Sequence, residues 1–277
     1  MKDFFDSQLA VWKDARDRYE DLKRVEQRSA DVDGYKMVVQ FNPARIISSG
    51  AKIDPKSLAA RKCFLCDENR PPEQMKLEVC GYNLLVNPFP IAPMHFVLAS
   101  PTHSPQKIDS IESMIALAEE LEGMVLLYNG PLCGASAPDH FHYQAVEKEF
   151  LPIVGAVDRN NRLPFDTIVV SGDTLADKFH AAIARLPQAD GEPEPKFNLL
   201  AWRDDENNVK IVIIPRRRHR PLLYGDSEGQ ILCSPATVDF GGVFVAPRRC
   251  DYDRLTPEFI HEIMSQVCYS PGEMSMK

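Results

Sequence analysis

The sequence predicts an α+β protein made of two related units, each an antiparallel sheet with covering helices. Three observations carry this prediction: apolar residues at three- and four-residue spacing over 8–29 and 108–128, short apolar strand candidates flanked by prolines, and an echo of one hairpin in the second half of the chain. At 277 residues, the chain is long enough for one large domain or two of about 100–150 residues, with a core that needs no covalent staples.

In chain order, Leu9, Trp12, Ala15, Tyr19, Leu22 and Val25 recur among charges, which predicts an amphipathic helix over 8–29. Met37 to Phe41 reads as a strand stopped by Asn42-Pro43. Tyr82 to Asn87 and His95 to Ser100 read as a hairpin joined by the turn from Pro88 to Pro93. Residues 108–128 carry Ile108, Ile111, Met114, Ile115, Leu117, Ala118, Leu121, Met124, Val125 and Tyr128 at helical spacing, which predicts a second helix. A loop from Asn129 to Asp139 leads into a strand at 140–146. Tyr82-Asn83-Leu84-Leu85 then recurs as Phe197-Asn198-Leu199-Leu200. Each copy is followed by a turn, a short apolar strand (Phe96 to Ala99; Ile211 to Ile214), a proline (Pro101; Pro215) and a histidine (His103; His219). The stretch Pro187 to Pro195 is a linker candidate or a loop within the second copy, and Thr256 to Val267, with Pro257 beside its cap, is a closing helix. The expected units are 1–150 and 151–277.

Composition excludes several classes. With 32 Lys+Arg against 40 Asp+Glu the net charge is −8, which argues against a nucleic-acid partner because backbone phosphates call for a basic surplus. No apolar run approaches the ~18–20 residues of a membrane helix, and acidic residues stand in Met1 to Asp6 where a signal peptide has its apolar core. The expected location is the cytoplasm, with no membrane partner. Seven cysteines, an odd number, suggest reduced thiols or metal ligands.

The strongest chemical signal is His140-Phe141-His142-Tyr143-Gln144. On a strand, His140, His142 and Gln144 share one face and the aromatics anchor the other. The preceding Gly134, Ala135 and Ser136 form a loop of small residues suited to surrounding a phosphate. Cys63-x-x-Cys66 is a second signal: a zinc site if two further ligands join it, from among His95, His103 and His140, or a thiol redox pair, against which Pro71-Pro72 argues by stopping any long helix. Arg216-Arg217-Arg218-His219-Arg220 is a solvated loop or a phosphate-binding run. Arg45 and Lys52 are further candidates, though nothing in their spacing lifts them above surface charges.

Cys63-Phe64-Leu65-Cys66, Thr102-His103-Ser104 and the run from Gly134 to Gln144 resemble galactose-1-phosphate uridylyltransferase. That family belongs to the histidine-triad-like nucleotidyltransferase superfamily, with diadenosine-tetraphosphate phosphorylase and GDP-L-galactose phosphorylase. The stretch Val86 to Pro101 and the His-Phe-His-Tyr-Gln motif are most similar to the GDP-hexose phosphorylase branch, so the chain combines features of two branches. The resemblance covers residues 60–150 and extends loosely into the second half. It implies that Cys63, Cys66, His103 and His140 bind a structural zinc, that His142 is the nucleophile that becomes nucleotidylated, and that Gln144 contacts the transferred phosphoryl group. It further implies that Gly134 and Ser136 cradle phosphate. Asn129 is matched to a loop asparagine at a spacing that departs from the uridylyltransferase pattern.

The implied function is a phosphorylase-type nucleotidyltransferase acting on a nucleoside diphosphate sugar or a dinucleoside polyphosphate, with phosphate or a sugar phosphate as acceptor. A phosphate leaving group needs no proton from the enzyme, so a glutamine at 144 suffices. Arg216, Arg218 and Arg220 are expected to hold a second phosphate or the acceptor. Related enzymes suggest a homodimer. The rival readings are a hydrolase of the same fold, a zinc-stabilised nucleotide-binding protein without catalysis, and a thiol redox protein.

Overall fold

A computed structural model describes residues 1–46, 50 and 54–274, leaving Lys52 outside the described residues. Helices α1 (Lys2–Val11) and α2 (Lys13–Leu22) lead into β1 (Glu26–Val32) and β2 (Tyr35–Phe41). Then come α3 (Pro55–Ala59), β3 (Leu77–Val79), β4 (Tyr82–Val86), β5 (His95–Ala99), α4 (Glu112–Glu120), β6 (Met124–Asn129) and β7 (His142–Glu147). The second half runs α5 (Pro152–Asp158), β8 (Ile168–Ser171), α6 (Leu175–Ile183), β9 (Phe197–Arg203), β10 (Val209–Pro215), α7 (Thr237–Phe240), β11 (Val243–Ala246), α8 (Arg249–Arg254) and α9 (Pro257–Val267).

The helix expected over 8–29 is two helices and part of a strand. Trp12 adopts extended backbone (φ −109°, ψ 93°), and the bend lets Phe5 and Tyr19 meet edge to face with ring centroids 4.9 Å apart. Residues 26–29 join β1 because Asp33 and Gly34, both at positive φ (52° and 86°), form the two-residue turn whose twist suits a hairpin. Likewise the helix expected over 108–128 ends at Glu120. Gly123 (φ 75°) breaks the chain, and Met124–Asn129, buried throughout, becomes a central strand. An all-apolar run of that length fits a buried strand or a buried helix face equally well. Closing helix α9 begins as expected, with the Thr256 side chain accepting from the Phe259 N–H.

The strands form an antiparallel eight-stranded sheet, β3-β4-β5-β7-β6-β9-β10-β8, and a three-stranded sheet in which β2 pairs antiparallel with β1 and parallel with β11. Both echoing segments are hairpins: β4 with β5 and β9 with β10. One face of the large sheet (Leu126, Tyr128, Tyr143, Ala145, Leu199, Ala201) packs on α4, α6 and the aromatics of α1 and α2. The opposite face (Leu127, Val146, Leu200, Trp202, Val212) is covered by the small sheet and α9. Farther along that face, Leu85 and Ala99 pack instead on Cys63 and Leu65. Between these two coverings the face lies open, and His142 and Gln144 project there. No helix among the described residues is long and apolar enough to cross a membrane.

Candidate active site

The sequence-predicted metal ligands come together. One donor atom from each of Cys63, Cys66, His103 and His140 lies within 4.8 Å of all the others. His140 Nε2–H donates to the Ser100 carbonyl (2.9 Å), which leaves Nδ1 unprotonated and turned to the sulfurs, 3.3 Å from Cys63 Sγ and 3.6 Å from Cys66 Sγ. Fixing the tautomer of a ligating histidine through a carbonyl is the usual outer arrangement of a metal centre. Two thiols and two imidazoles without a carboxylate form a closed tetrahedral donor set suited to zinc. The Arg61–Asp139 ion pair ties the segment before Cys63 to the residue before His140.

His140 precedes β7, and its carbonyl accepts from His142 Nδ1–H at 2.8 Å, leaving the Nε2 lone pair of His142 available. Burial holds the His142 imidazole well below its ordinary range, to about 4, so it is neutral at neutral pH. Across the ladder, His95 accepts from the Ile91 N–H through Nδ1 (3.3 Å) and donates from Nε2 to Gln144 Oε1 (2.7 Å). That bond turns the Gln144 amide N–H groups away from His95. Burial, with Arg45 nearby, pushes His95 down to about 3, which keeps it neutral in this role.

Two joined cavities meet at this strand. The larger, about 880 Å³, is walled by Trp12, Phe64, Leu65, Leu85, Phe89 and Val97, with His142 and Gln144 along one side. The smaller, about 60 Å³, is lined by Asn129, Gly134, Ala135, Ser136, His219, Arg220, Ser234 and Asp239. Arg45, Ser136 and Gln144 line both. Of the residues predicted for substrate, Asn129 has its Oδ1 engaged by the Thr237 N–H and hydroxyl (both 2.8 Å) and by Asn198 Nδ2 (3.0 Å). Arg220 is partly buried, stacked 4.0 Å over Tyr224, and donates to Ser234 Oγ. Arg216 and Arg218 are not among the lining residues. The Arg216 guanidinium is buried, bonded to Asn198 and to the carbonyls of Pro235, Arg218, His219 and Val267, and so serves as an internal brace; Arg218 is exposed outside the cavities.

Arg45, a further candidate in the sequence with no spacing to raise it above a surface charge, lines both cavities. It donates to the Phe89 carbonyl (2.7 Å), and burial lowers it to about 10, so it remains a cation between the two cavities. Its only signal was a position just past the strand stop Asn42-Pro43. His95 had the signal of strand alternation, which puts it on the same face as Val97, opposite Gln144.

Residues 4–147 match the family model described as "Domain of unknown function (DUF4922)". No curated protein matches the chain in sequence. Among solved structures, the yeast Ap4A phosphorylase Apa2 matches with a TM-score of 0.64 at 15% identity, over 94% of this chain and 98% of that one. The same yeast protein in complex with AMP matches at 0.60 and 15%, covering 96% and 97%. Its complex with Ap4A matches at 0.63 and 15%, covering 94% and 97%. The likeness is one of fold over nearly the whole chain, and it bears out the α+β fold with antiparallel sheet and covering helices that the sequence implied.

Proposed function

The chain belongs to the DUF4922 family, and from that footing we propose that it is a phosphorylase-type nucleotidyltransferase whose donor is a dinucleoside polyphosphate or a nucleoside diphosphate sugar. The observation that carries this reading is a neutral, buried imidazole at His142, with Nδ1 tied to a carbonyl, beside Gln144 and Arg45 at the junction of an aromatic-walled groove and a small polar cavity. The structural neighbours crystallised with AMP and Ap4A make the dinucleoside polyphosphate the first donor to try.

In this reading the nucleobase and ribose occupy the groove lined by Trp12, Phe64 and Phe89, and the phosphates extend past Gln144. His142 Nε2 attacks the α-phosphorus; the P–N bond forms as the P–O bond to the leaving phosphate breaks, and the electron pair departs on that oxygen. Gln144, oriented by His95, donates to a non-bridging oxygen, and Arg45 offsets charge that builds in the transition state. An acceptor phosphate or sugar phosphate held against Arg45, Arg220 and Ser136 then attacks the same phosphorus, forming a P–O bond and releasing the imidazole. Cys63, Cys66, His103 and His140 would hold zinc, whose contribution is structural, anchoring the start of β7. Residues 1–150 supply the nucleophile and metal ligands, and 151–277 supply the opposite wall of the phosphate cavity.

Intact-mass spectrometry after mixing with a panel of dinucleoside polyphosphates and nucleoside diphosphate sugars tests the reading. A nucleoside monophosphate adduct is expected on the wild type, discharged by phosphate or a sugar phosphate and absent from His142→Ala. Full turnover by His142→Ala on a confirmed donor would overturn it, and discharge by water alone would move the protein to the hydrolases.

A further inference from the structure

The hydrogen-bond ladder that carries His142 is incomplete at His142 itself. On one flank β7 pairs with β5 as far as His142 opposite Ala99; on the other it pairs with β6 only as far as Gln144 opposite Leu127. Beyond that point β6 continues to pair with β9, through Tyr128 and Asn129, while β7 parts from it. The His142 N–H and C=O both point into the opening, where Asn129 would have stood opposite in a continuous ladder. A buried peptide left unpaired here would lose its hydrogen bonds to water with nothing in return.

Gln106 fills the opening. Its side chain is 1% exposed; Oε1 accepts the His142 N–H at 2.9 Å, and Nε2 donates to the His142 carbonyl at 3.0 Å and to the Asn129 carbonyl at 3.0 Å. One planar carboxamide thus presents a donor and an acceptor side by side, as a neighbouring strand does. Among side chains only Asn and Gln offer that pair uncharged, and the longer one spans this gap. Gln106 is itself held, its N–H donating to the Pro138 carbonyl at 3.0 Å, and its segment is stitched to the one before β7 by the Phe141 N–H to Ser104 carbonyl bond at 2.7 Å. His103, a member of the metal-binding cluster, lies three residues earlier on the same segment.

From this geometry we infer that Gln106 is a positioning residue for the nucleophile: it grips the His142 peptide at two points and couples the register of that peptide to the loop carrying His103. The inference rests on the nucleotidyl-histidine reading above and adds to it the group that sets where His142 stands. Gln106 lines neither cavity, so its effect belongs to the rate of attack and not to donor binding.

The test uses the full chain with Gln106→Met, which keeps the side-chain length and removes all three bonds, and Gln106→Glu, which keeps the acceptor and, assayed at alkaline pH where the buried carboxyl is ionised, removes the donor. In the single-turnover formation of the adduct, Gln106→Met is expected to lower the saturating rate about 30- to 100-fold while the half-saturating donor concentration changes less than about twofold. Gln106→Glu is expected to lower it as well, and it stands in if Gln106→Met does not fold. In ¹⁵N-histidine NMR, the wild type should show His142 as the Nδ1–H tautomer, and the variants a mixture with Nε2–H, because a displaced peptide loosens the Nδ1 bond to His140. A folded, metal-bound variant with wild-type adduct rate and tautomer overturns the inference, as does a change confined to half-saturation. If the wild type forms no adduct with any donor, the nucleotidyl reading fails. The NMR arm then decides the role of Gln106 alone: an unchanged tautomer overturns it and a shifted one supports it.

Discussion

Gly134 sits at φ +98° with its α-carbon against the segment before α7, so a methyl added there would lie 2.8 Å from Ala236 Cβ and 2.9 Å from Ala236 Cα. Both the left-handed backbone and the close approach exclude a side chain. Gly134→Ala is expected to destabilise the protein by about 2–4 kcal/mol, read from urea unfolding, and to slow adduct formation by displacing Ser136. Glu194 is a different case. Buried, it accepts from Tyr128 Oη (2.7 Å) and the Ile108 N–H (3.0 Å), and burial raises its carboxyl to about 7. An acid raised in the folded state binds its proton more tightly there than in the unfolded chain, so stability falls as pH rises from about 4.5 to about 7. Relative to Glu194→Gln, whose amide the Tyr128 hydroxyl can accept by rotating, the wild type is expected to lose up to about 3 kcal/mol across that window, measured by denaturant titration at each pH. The shared face of His142 and Gln144 and the pairing of Cys63 with Cys66 were legible because strand alternation and Cys-x-x-Cys spacing act over a few residues, whereas His103 and His140 joined the cysteines through the family resemblance. Arg45 was visible only as a candidate charge and Gln106 not at all, because loops far apart in sequence bring them to the strand. Arg216 shows the limit of reading charge alone, since its guanidinium is committed to internal carbonyls.

Among the elements, the loop holding Cys63 and Cys66 and the segment from Pro101 to His103 converge on His140, two residues before β7, so the candidate metal cluster and the start of the strand stand or fall together. Cys63→Ser with Cys66→Ser is expected to abolish bound zinc and lower the melting temperature by about 10 °C, with loss of adduct formation; metal analysis alongside a thermal melt checks it. Unchanged metal content would refute the donor set. The amphipathic periods identified α2 and α4 but overran both, because period alone is blind to a break at Trp12 or Gly123. The two-residue turn at Asp33-Gly34, which the periodic reading did not weigh, pairs residues 26–29 with β2 and outweighs their continuing charge pattern. The hairpins β4–β5 and β9–β10 were legible because proline-flanked apolar runs repeat with the same order of residues.

For the molecule as a whole, the eight-stranded sheet crosses the middle of the chain: β6 from the first half pairs with β9 from the second, Leu126 opposite Ala201 through to Asn129 opposite Asn198. The stretch 187–195, expected to be a linker or a loop within the second copy, is anchored by Glu194 on Tyr128 and so is held to the first half. Residues 1–150 expressed alone are expected not to fold cooperatively, since removing β9 bares a buried strand edge along β6; a sloping thermal transition in circular dichroism, against a single sharp one for the full chain, checks this. The phosphate-sized cavity has the same divided origin, with Ser136 and Gln144 on one side and His219, Arg220 and Asp239 on the other. Synthesis therefore sets the order of competence. As the chain leaves the ribosome, His142, the Cys/His cluster and the small-residue loop emerge first, yet the small cavity gains its full lining only once Val245 of β11, paired with β2, is in place. The cavity is therefore completed late, and a nascent or prematurely terminated chain carries His142 and the Cys/His cluster without the wall that the second half supplies.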